Sequence, residues 1–409
     1  MNMRLKYITI LISLAIYAWF VGWCVFALLG ISGVVLLSYR LPKKWNLLIP
    51  LTCLIAGFIL MKYLLSNMGK AVPIGYSVFM FNCISFLVDY SKEGNKDKVN
   101  SLDLLCYLFF FPKMLCGPFI KFSSFQAQLN KWIKPSITNV YRAFKISVFA
   151  AFCKFAIADN LSVVVASQSY GINTFFGSVL FALQLYLDFY AYSNFAIALA
   201  LLFGIELPTS FNTPYRSVSF RDFWGRWNIT ISEWLKEYIY IPLGGNRVKN
   251  RFRNVFNTLT TFIVSGLWHG ASLPFILWGG LHGLLVITER LFIHRLESRY
   301  LLRYAYNFFV FISVAMLWQL FRMDNFGDLR LYLSRLLTYA PLDLAVLAYV
   351  ATIGIVVWSI DSQAIQKLVF MVSNEKQYVY KEVSLVCGLL TATILLSLQP
   401  SINFFYFRF

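Results

Sequence analysis

Apolar residues run in long blocks along this chain, and polar residues gather in the short gaps between them. The blocks occupy residues 7–38, 47–63, 73–88, 104–122, 141–158, 171–203, 256–268, 275–292, 304–321, 342–360 and 383–398. About 20 apolar residues carry a helix across the hydrocarbon core, so the pattern predicts an all-α polytopic membrane protein with about 11 transmembrane helices. The first block exceeds one span and reads as one retained span or as two short helices broken near Gly30 and Gly33. Arg4 and Lys6 precede it, but no small-residue cleavage pattern ends a short core, so it is not read as a signal peptide. Pro112, Gly117 and Pro118 interrupt block 104–122, and Lys154 within 141–158 predicts a span partly buried in protein. Block 171–203 is long enough for two helices or one tilted one. The alternating pattern of a membrane β-barrel is absent, and the long blocks overrule the aromatic ending at 404–409. No repeat, linker or low-complexity tract divides the chain, which predicts a single domain over 1–409.

Composition agrees with the bilayer reading. Hydrophobic residues make up 59% of the chain and charged ones 13%, a balance that would leave a soluble protein covered in apolar patches. The net charge of +18 would suggest nucleic acid elsewhere. Here the basic residues sit in short runs between apolar blocks, as in loops facing anionic headgroups. No basic–aromatic nucleic-acid module accompanies them, so no nucleic-acid partner is expected. The seven cysteines form no CxxC pair, and most lie in apolar blocks as small hydrophobes rather than in a disulfide framework.

The most polar stretch runs from Asn212 to Arg253. Ser219, three residues ahead of Asp222, is placed to cap a helix start. Phe223, Trp227, Ile231, Trp234 and Tyr238 then fall on one face of a predicted interfacial amphipathic helix. Arg226, Ser232, Glu233, Lys236 and Glu237 take its other faces. On composition this is an amphipathic connector. Arg247, Lys249, Arg251 and Arg253 follow a Gly244-Gly245 turn; they mark a cytoplasmic loop first, and a phosphate-receiving cluster second.

Three histidines are present. His294, beside Arg295 and Arg290 at the end of a block, reads as interfacial. His269 and His282 lie inside apolar blocks, where an ionisable residue faces a cavity or a partner; each is either a functional group or a satisfied structural histidine. They stand 13 positions apart, about 220° of rotation and roughly 20 Å of rise on a continuous helix, with Pro274 between them. No further Asp, Glu or Cys lies between them, so no metal site is expected. With no GxSxG elbow for a serine nucleophile, the remaining chemistry is a histidine acting as general base on a bound hydroxyl. Gln184, Asp188 and Tyr192 share one helical face within a block; they line a polar channel or make interhelical hydrogen bonds.

These residues together carry a resemblance. The run from Ser219 through Phe220, Arg221, Asp222, Phe223, Trp224, Gly225, Arg226 and Trp227 to Asn228 resembles the signature helix of the membrane-bound O-acyltransferase family. Tyr238 to Arg247 continues the pattern. Trp268-His269-Gly270 resembles the family's Trp-His-Gly element, and Leu281-His282-Gly283 its later Leu-His-Gly. Pro73-Ile74-Gly75-Tyr76-Ser77, Phe111-Pro112, Gly117-Pro118 and Asp188-Phe189 extend the likeness upstream, so its core covers about 70–290. The nearest subgroup is the bacterial one containing the alginate O-acetylation and teichoic-acid D-alanylation membrane proteins. That subgroup usually carries histidine after Arg-Trp; here the residue is Asn228, which can donate and accept hydrogen bonds but exchanges no proton near neutral pH.

The resemblance implies helices around a central tunnel, with interfacial or re-entrant helices, in a bacterial cytoplasmic (inner) membrane. It implies transfer of an acyl group, acetyl above others, from acetyl-CoA or another acyl thioester, with no tightly bound cofactor. The acceptor is a hydroxyl of a cell-surface or exported polysaccharide, reached directly or through an extracytoplasmic SGNH-type acyltransferase or a polysaccharide-synthesis complex. His269 becomes the base and Asn228 the residue orienting a reactant. Trp268, Trp227, Arg226, Asp222, His282, Asp188 and Tyr192 become site-lining residues. A non-enzymatic transporter or flippase would explain the apolar spans equally well, but not the Trp-His-Gly and Arg-Trp-Asn elements. An O-acyltransferase acting on a lipid or a protein fits the sequence too.

Overall fold

A computed structural model describes residues 1–38, 41–42, 44–61, 75–93, 99–114, 117–167, 171–248, 250–270, 272–292, 300–372 and 376–397. Pro73, Ile74, Cys116, Lys249, Ala271, His294, Arg295 and the aromatic ending at 404–409 lie outside them. Every regular element among the described residues is helical. Among the described residues four helices are long and apolar enough to cross a membrane: Ile137–Val165, Ile172–Leu202, Tyr304–Arg322 and Val379–Leu396. Leu344–Ile360 and Gln363–Phe370 join as a fifth candidate, bent by 55° at their junction. Val25–Leu37 and Leu48–Ile59 are shorter apolar helices.

Local chemistry explains where the apolar blocks break. The first one splits at Gly22, whose φ of 58° ends helix Met3–Val21 before Val25–Leu37 begins. Gly30 and Gly33, the expected break, lie inside the second helix, because neither takes a positive φ there. Block 104–122 is not one helix: Ser101–Leu108 stops before a short turn at Phe111–Met114, and a non-helical segment leads to helix Phe122–Asn130. Pro112 and Pro118, lacking a backbone N–H, cannot continue the ladder. Block 171–203, by contrast, forms a single helix, Gly171–Leu202. Cys24, Cys83, Cys106 and Cys153 are buried as expected, whereas Cys53 and Cys387 are exposed.

The chain divides into two compact units, Met1–Ala143 with Ala196–Pro208, and Phe144–Phe195 with Thr209–Phe409. In the first, rings of Phe86, Tyr107, Phe122 and Phe125 meet edge to face at 5.0–5.5 Å, and the Tyr107 hydroxyl donates to the Ile120 carbonyl at 2.9 Å. Buried Lys113 donates to Asn82 at 2.7 Å and stands over the Tyr107 ring.

The second unit contains all the motifs from residue 212 onward. Its apolar interior holds buried ion pairs, Lys145 with Glu382 at 2.9 Å among them, and an ionic knot. Lys154, in a π-helical turn that widens the helix backbone at Phe152–Ala158, pairs with Asp159 and Asp188 at 2.7 Å each. All three are nearly inaccessible. The lysine is therefore buried in protein, and Asp188 is held as an ionic partner. The lysine charge offsets the two carboxylates that face it. Lys154→Met should destabilise the protein by roughly 3–5 kcal/mol, since it removes the cation from two buried carboxylates. Thermal unfolding in detergent measures the loss, and adding Asp188→Asn should recover part of it.

Candidate active site

The site is built around two neighbouring helices, Arg251–His269 and Leu273–Phe292, which pack closely. Gly266 and Gly279 make the approach possible. A methyl group on Gly266 would sit 2.2 Å from the Phe275 carbonyl, and one on Gly279 2.2 Å from that of Phe262. Backbone thus lies on backbone, as small residues permit between membrane helices. This contact fixes the last turn of the first helix, where Trp268 and His269 sit.

His269 is partly exposed and is enclosed by aromatic rings. Trp268 lies at 4.4 Å between centroids, Phe321 at 4.7 Å, Trp278 at 5.3 Å and Phe275 at 6.2 Å. The Trp278 ring also meets His282 at 5.1 Å, so one indole stands between the two histidines. His282 is fully inaccessible; Trp224 and Trp318 complete its surroundings at 5.0 and 6.0 Å, and neither ring nitrogen has a hydrogen-bond partner.

The signature segment departs from its predicted form. It is not one amphipathic helix but two short ones, Phe220–Trp224 and Ile229–Leu235, separated by a turn, with a π-helical turn over Lys236–Tyr240. Ser219 caps the first, accepting from the Asp222 amide at 2.9 Å. The Asp222 carboxylate accepts from the Val218 amide at 3.0 Å and pairs with Arg226 at 2.8 Å. The break falls at Asn228, which takes φ 40°. Backbone groups on either side bond a neighbouring segment instead of continuing a helix: the Arg226 carbonyl accepts from the Asn212 amide at 3.0 Å, and the Ile229 amide donates to the Ser210 carbonyl at 2.7 Å. The predicted apolar face survives the break, with Phe223, Trp227, Ile231 and Trp234 all buried; Tyr238 is half-buried.

Glu289 ties this segment to the second helix. Its carboxylate accepts from the Phe220 and Arg221 amides at 2.9 and 3.0 Å and from the Tyr306 hydroxyl at 2.5 Å. Two amides of a helix's first turn thereby meet a negative charge. Sequence reasoning passed over Glu289. An acid one turn before the end of an apolar helix, next to Arg290, carries no local signal of the amides that it meets.

A cavity of about 1200 Å³ opens beside these elements. One part of its wall is aromatic and includes Trp227, Trp268, His269, Trp278 and Phe321, with Asn228. Another is polar and basic, with Arg221, Lys236, Arg251 and Arg290 all exposed. Asn228 occupies the N-cap position of its helix, yet its side chain makes no capping bond. Of the predicted site residues, the structure brings His269, Asn228, Trp268 and Trp227 onto one cavity. Asp222, His282, Asp188 and Tyr192 are not among its lining residues, and Arg226 lines a second cavity instead. The Gly244-Gly245 turn, with φ of 112° and 53°, is pinned by Asn254 and Asn257, whose amides reach the Gly245 carbonyl at 3.4 and 3.3 Å. Asn246 accepts from Tyr240, Asn254 and Arg290 at 2.6, 3.1 and 2.8 Å, which holds the basic side of the wall in place.

The membrane-bound O-acyltransferase family model matches residues 9–323. The chain is 28% identical over 358 residues to a Pseudomonas aeruginosa protein named "probable alginate O-acetylase", covering 78% of this chain and 68% of that one. It is 32% identical over 295 residues to the Helicobacter pylori peptidoglycan O-acetyltransferase, covering 62% and 54%. To the Bacillus subtilis teichoic acid D-alanyltransferase it is 25% identical over 233 residues, covering 54% and 59%. The chain thus spans between about half and two thirds of the length of these relatives.

Gly266→Ala should force the two helices apart and cost roughly 1–3 kcal/mol or more, as overpacking does. Gly280→Ala, on the facing helix but with nothing within 4 Å of the added methyl, should leave the melting temperature unchanged. Parallel thermal unfolding of the two variants checks the assignment.

Proposed function

This chain belongs to the membrane-bound O-acyltransferase family and is a multi-pass membrane protein, and we propose that it moves an acyl group from a thioester to a hydroxyl of a cell-surface or exported polysaccharide. The observation that carries this reading is the sharing of one cavity wall by His269 and Asn228, with a cluster of exposed cations on the same cavity. The spans number about 11, counting helices shorter or more bent than a full crossing, around a tunnel in the bacterial inner membrane. The donor is acetyl-CoA: its phosphates rest on Arg221, Lys236, Arg251 and Arg290, and its thioester reaches the aromatic wall. Guanidinium groups suit such a phosphate-bearing end because they pair with phosphate oxygens in a bidentate manner.

In the proposed reaction His269 withdraws the proton of the acceptor hydroxyl as its oxygen attacks the thioester carbonyl. The tetrahedral intermediate collapses with cleavage of the carbon–sulfur bond. The departing thiolate takes the proton from His269 and leaves as a thiol. Asn228, with an amide not used for capping, orients the acyl carbonyl or the acceptor. The rings around His269 exclude water, so the thioester meets the hydroxyl rather than hydrolysing. Transfer goes directly to the glycan or through a separate extracytoplasmic acyltransferase.

Purified protein in lipid nanodiscs, given radiolabelled acetyl-CoA and a polysaccharide acceptor, should transfer label. His269→Ala should cut the rate by about 10²–10⁴, the usual contribution of a general base. Asn228→Ala should cost about 10²-fold if the amide polarises the carbonyl. Unchanged transfer in a folded His269→Ala protein would remove the assigned base.

A further inference from the structure

A second cavity, of about 710 Å³, lies on the other side of the signature segment, and Ile229 lines both. Its size falls within the roughly 300–1,000 Å³ of small-ligand pockets. Four features set it apart. The first is the bend of 55° between Leu344–Ile360 and Gln363–Phe370, with Asp361 at the junction and on the cavity wall. Irregular backbone at membrane depth is tolerated where it lines a cavity or is buried in protein, and broken helices of membrane proteins commonly do so at their substrate sites.

The second is strain. Thr213 takes φ 48° and lines this cavity, while Asn228 takes φ 40° and lines the other; they are the only non-glycine residues at positive φ among those described. A β-branched residue rarely adopts this conformation, and such strain collects at ligand sites. The third is an orphan. The Ser193 hydroxyl, on a residue 1% exposed, has no hydrogen-bond partner and lines the cavity. Ser32, Ser85 and Ser178, also in helices, turn their hydroxyls back on the carbonyl four residues earlier at 2.8 Å. Ser193 does not, and a buried hydroxyl left unpaired carries a cost that a bound ligand removes.

The fourth is the polar character of the wall, much of which is held in place by hydrogen bonds. Tyr190 donates to the Gln366 side-chain oxygen at 2.8 Å, and the Gln366 amide donates to the Ile360 carbonyl at 3.2 Å. Arg226 pairs with Asp222 at 2.8 Å and reaches the Thr213 hydroxyl at 3.2 Å. Arg216 lies over the Trp358 ring, donates to the Trp358 carbonyl and acts on the charge of Asp361. Arg226 is thus answered by a carboxylate, while Lys367, exposed and also on the wall, adds a positive charge suited to an acidic sugar. Hydroxyls, amides and aromatic edges, with both donors and acceptors on offer, suit a ligand that itself carries many hydroxyls.

We infer that this second cavity binds a saccharide unit of the acceptor glycan, flanking the unit that is acylated. This rests on the acyl-transfer reading for the meaning of the word acceptor, but the binding itself can be measured without any acyl donor. The test is equilibrium dialysis of the full chain in nanodiscs against tritiated maltotriose and tritiated trigalacturonate. At least one should bind saturably. Ser193→Ala should weaken that binding about fivefold, the worth of one neutral hydrogen bond, while its melting temperature stays equal or rises because the orphan hydroxyl is gone. Gly280→Ala, where the added methyl meets nothing within 4 Å, should bind as the unaltered protein does. Absence of binding for both sugars, equal binding by Ser193→Ala, or displacement of the sugar by inorganic phosphate at a lower concentration than by the sugar itself would each overturn the inference. Sugar binding with these properties in a protein that transfers no label would leave it standing and sink only the acyl-transfer reading.

Discussion

The candidate site depends on one contact, the touch of backbone on backbone where Gly266 and Gly279 bring two helices together. Neither position has room for a methyl group, since each would press on a carbonyl oxygen of the facing helix. The closeness has a chemical result. The last turn of Arg251–His269 comes to lie against Trp278, which stands between the rings of His269 and His282. In a bilayer, helices gain little from hiding apolar surface from lipid, so dispersion between closely fitted backbones is what holds such a pair. A rigid pair then gives the cavity a wall whose side chains keep their places.

The signature segment obeys a different constraint. Backbone polar groups away from water must all be bonded, and a chain broken at Asn228 would leave several unpaired. The adjoining stretch resolves this by exchanging bonds through Asn212 and Ser210, while Glu289 takes up two amides at the start of Phe220–Trp224. The break is therefore supported from both sides, and the Asn228 amide is left without a capping bond.

Much of this was legible in the sequence. Long apolar blocks announced membrane helices, Lys154 announced a span partly buried in protein, and Ser219 with Asp222 announced a helix start; each depends on local spacing or on a cost that applies anywhere in a membrane. The stripe from Phe223 to Trp234 correctly identified a buried face, but helical periodicity could not register the break at Asn228, because one residue in a left-handed conformation interrupts a helix without changing the spacing of its apolar residues. The bonds that compensate the break come from residues 210 and 212, which no periodicity links to it. The pairs Gly266/Gly270 and Gly279/Gly283, each four apart within a helix, were a readable sign of close packing, and they coincide with the two histidine motifs.

That coincidence sharpens the contrast between the histidines. His269 and His282 occupy the same place in a Gly-x-x-His-Gly pattern, on facing helices, against the same indole. Pattern alone would give them one role. Their surroundings differ, because the first ends its helix and keeps partial access to the large cavity, whereas the second lies inside its helix among three tryptophans with no access at all. A group that takes a proton from a substrate must reach it. Only the first meets that condition, and the second packs against the Trp278 ring that its counterpart also touches.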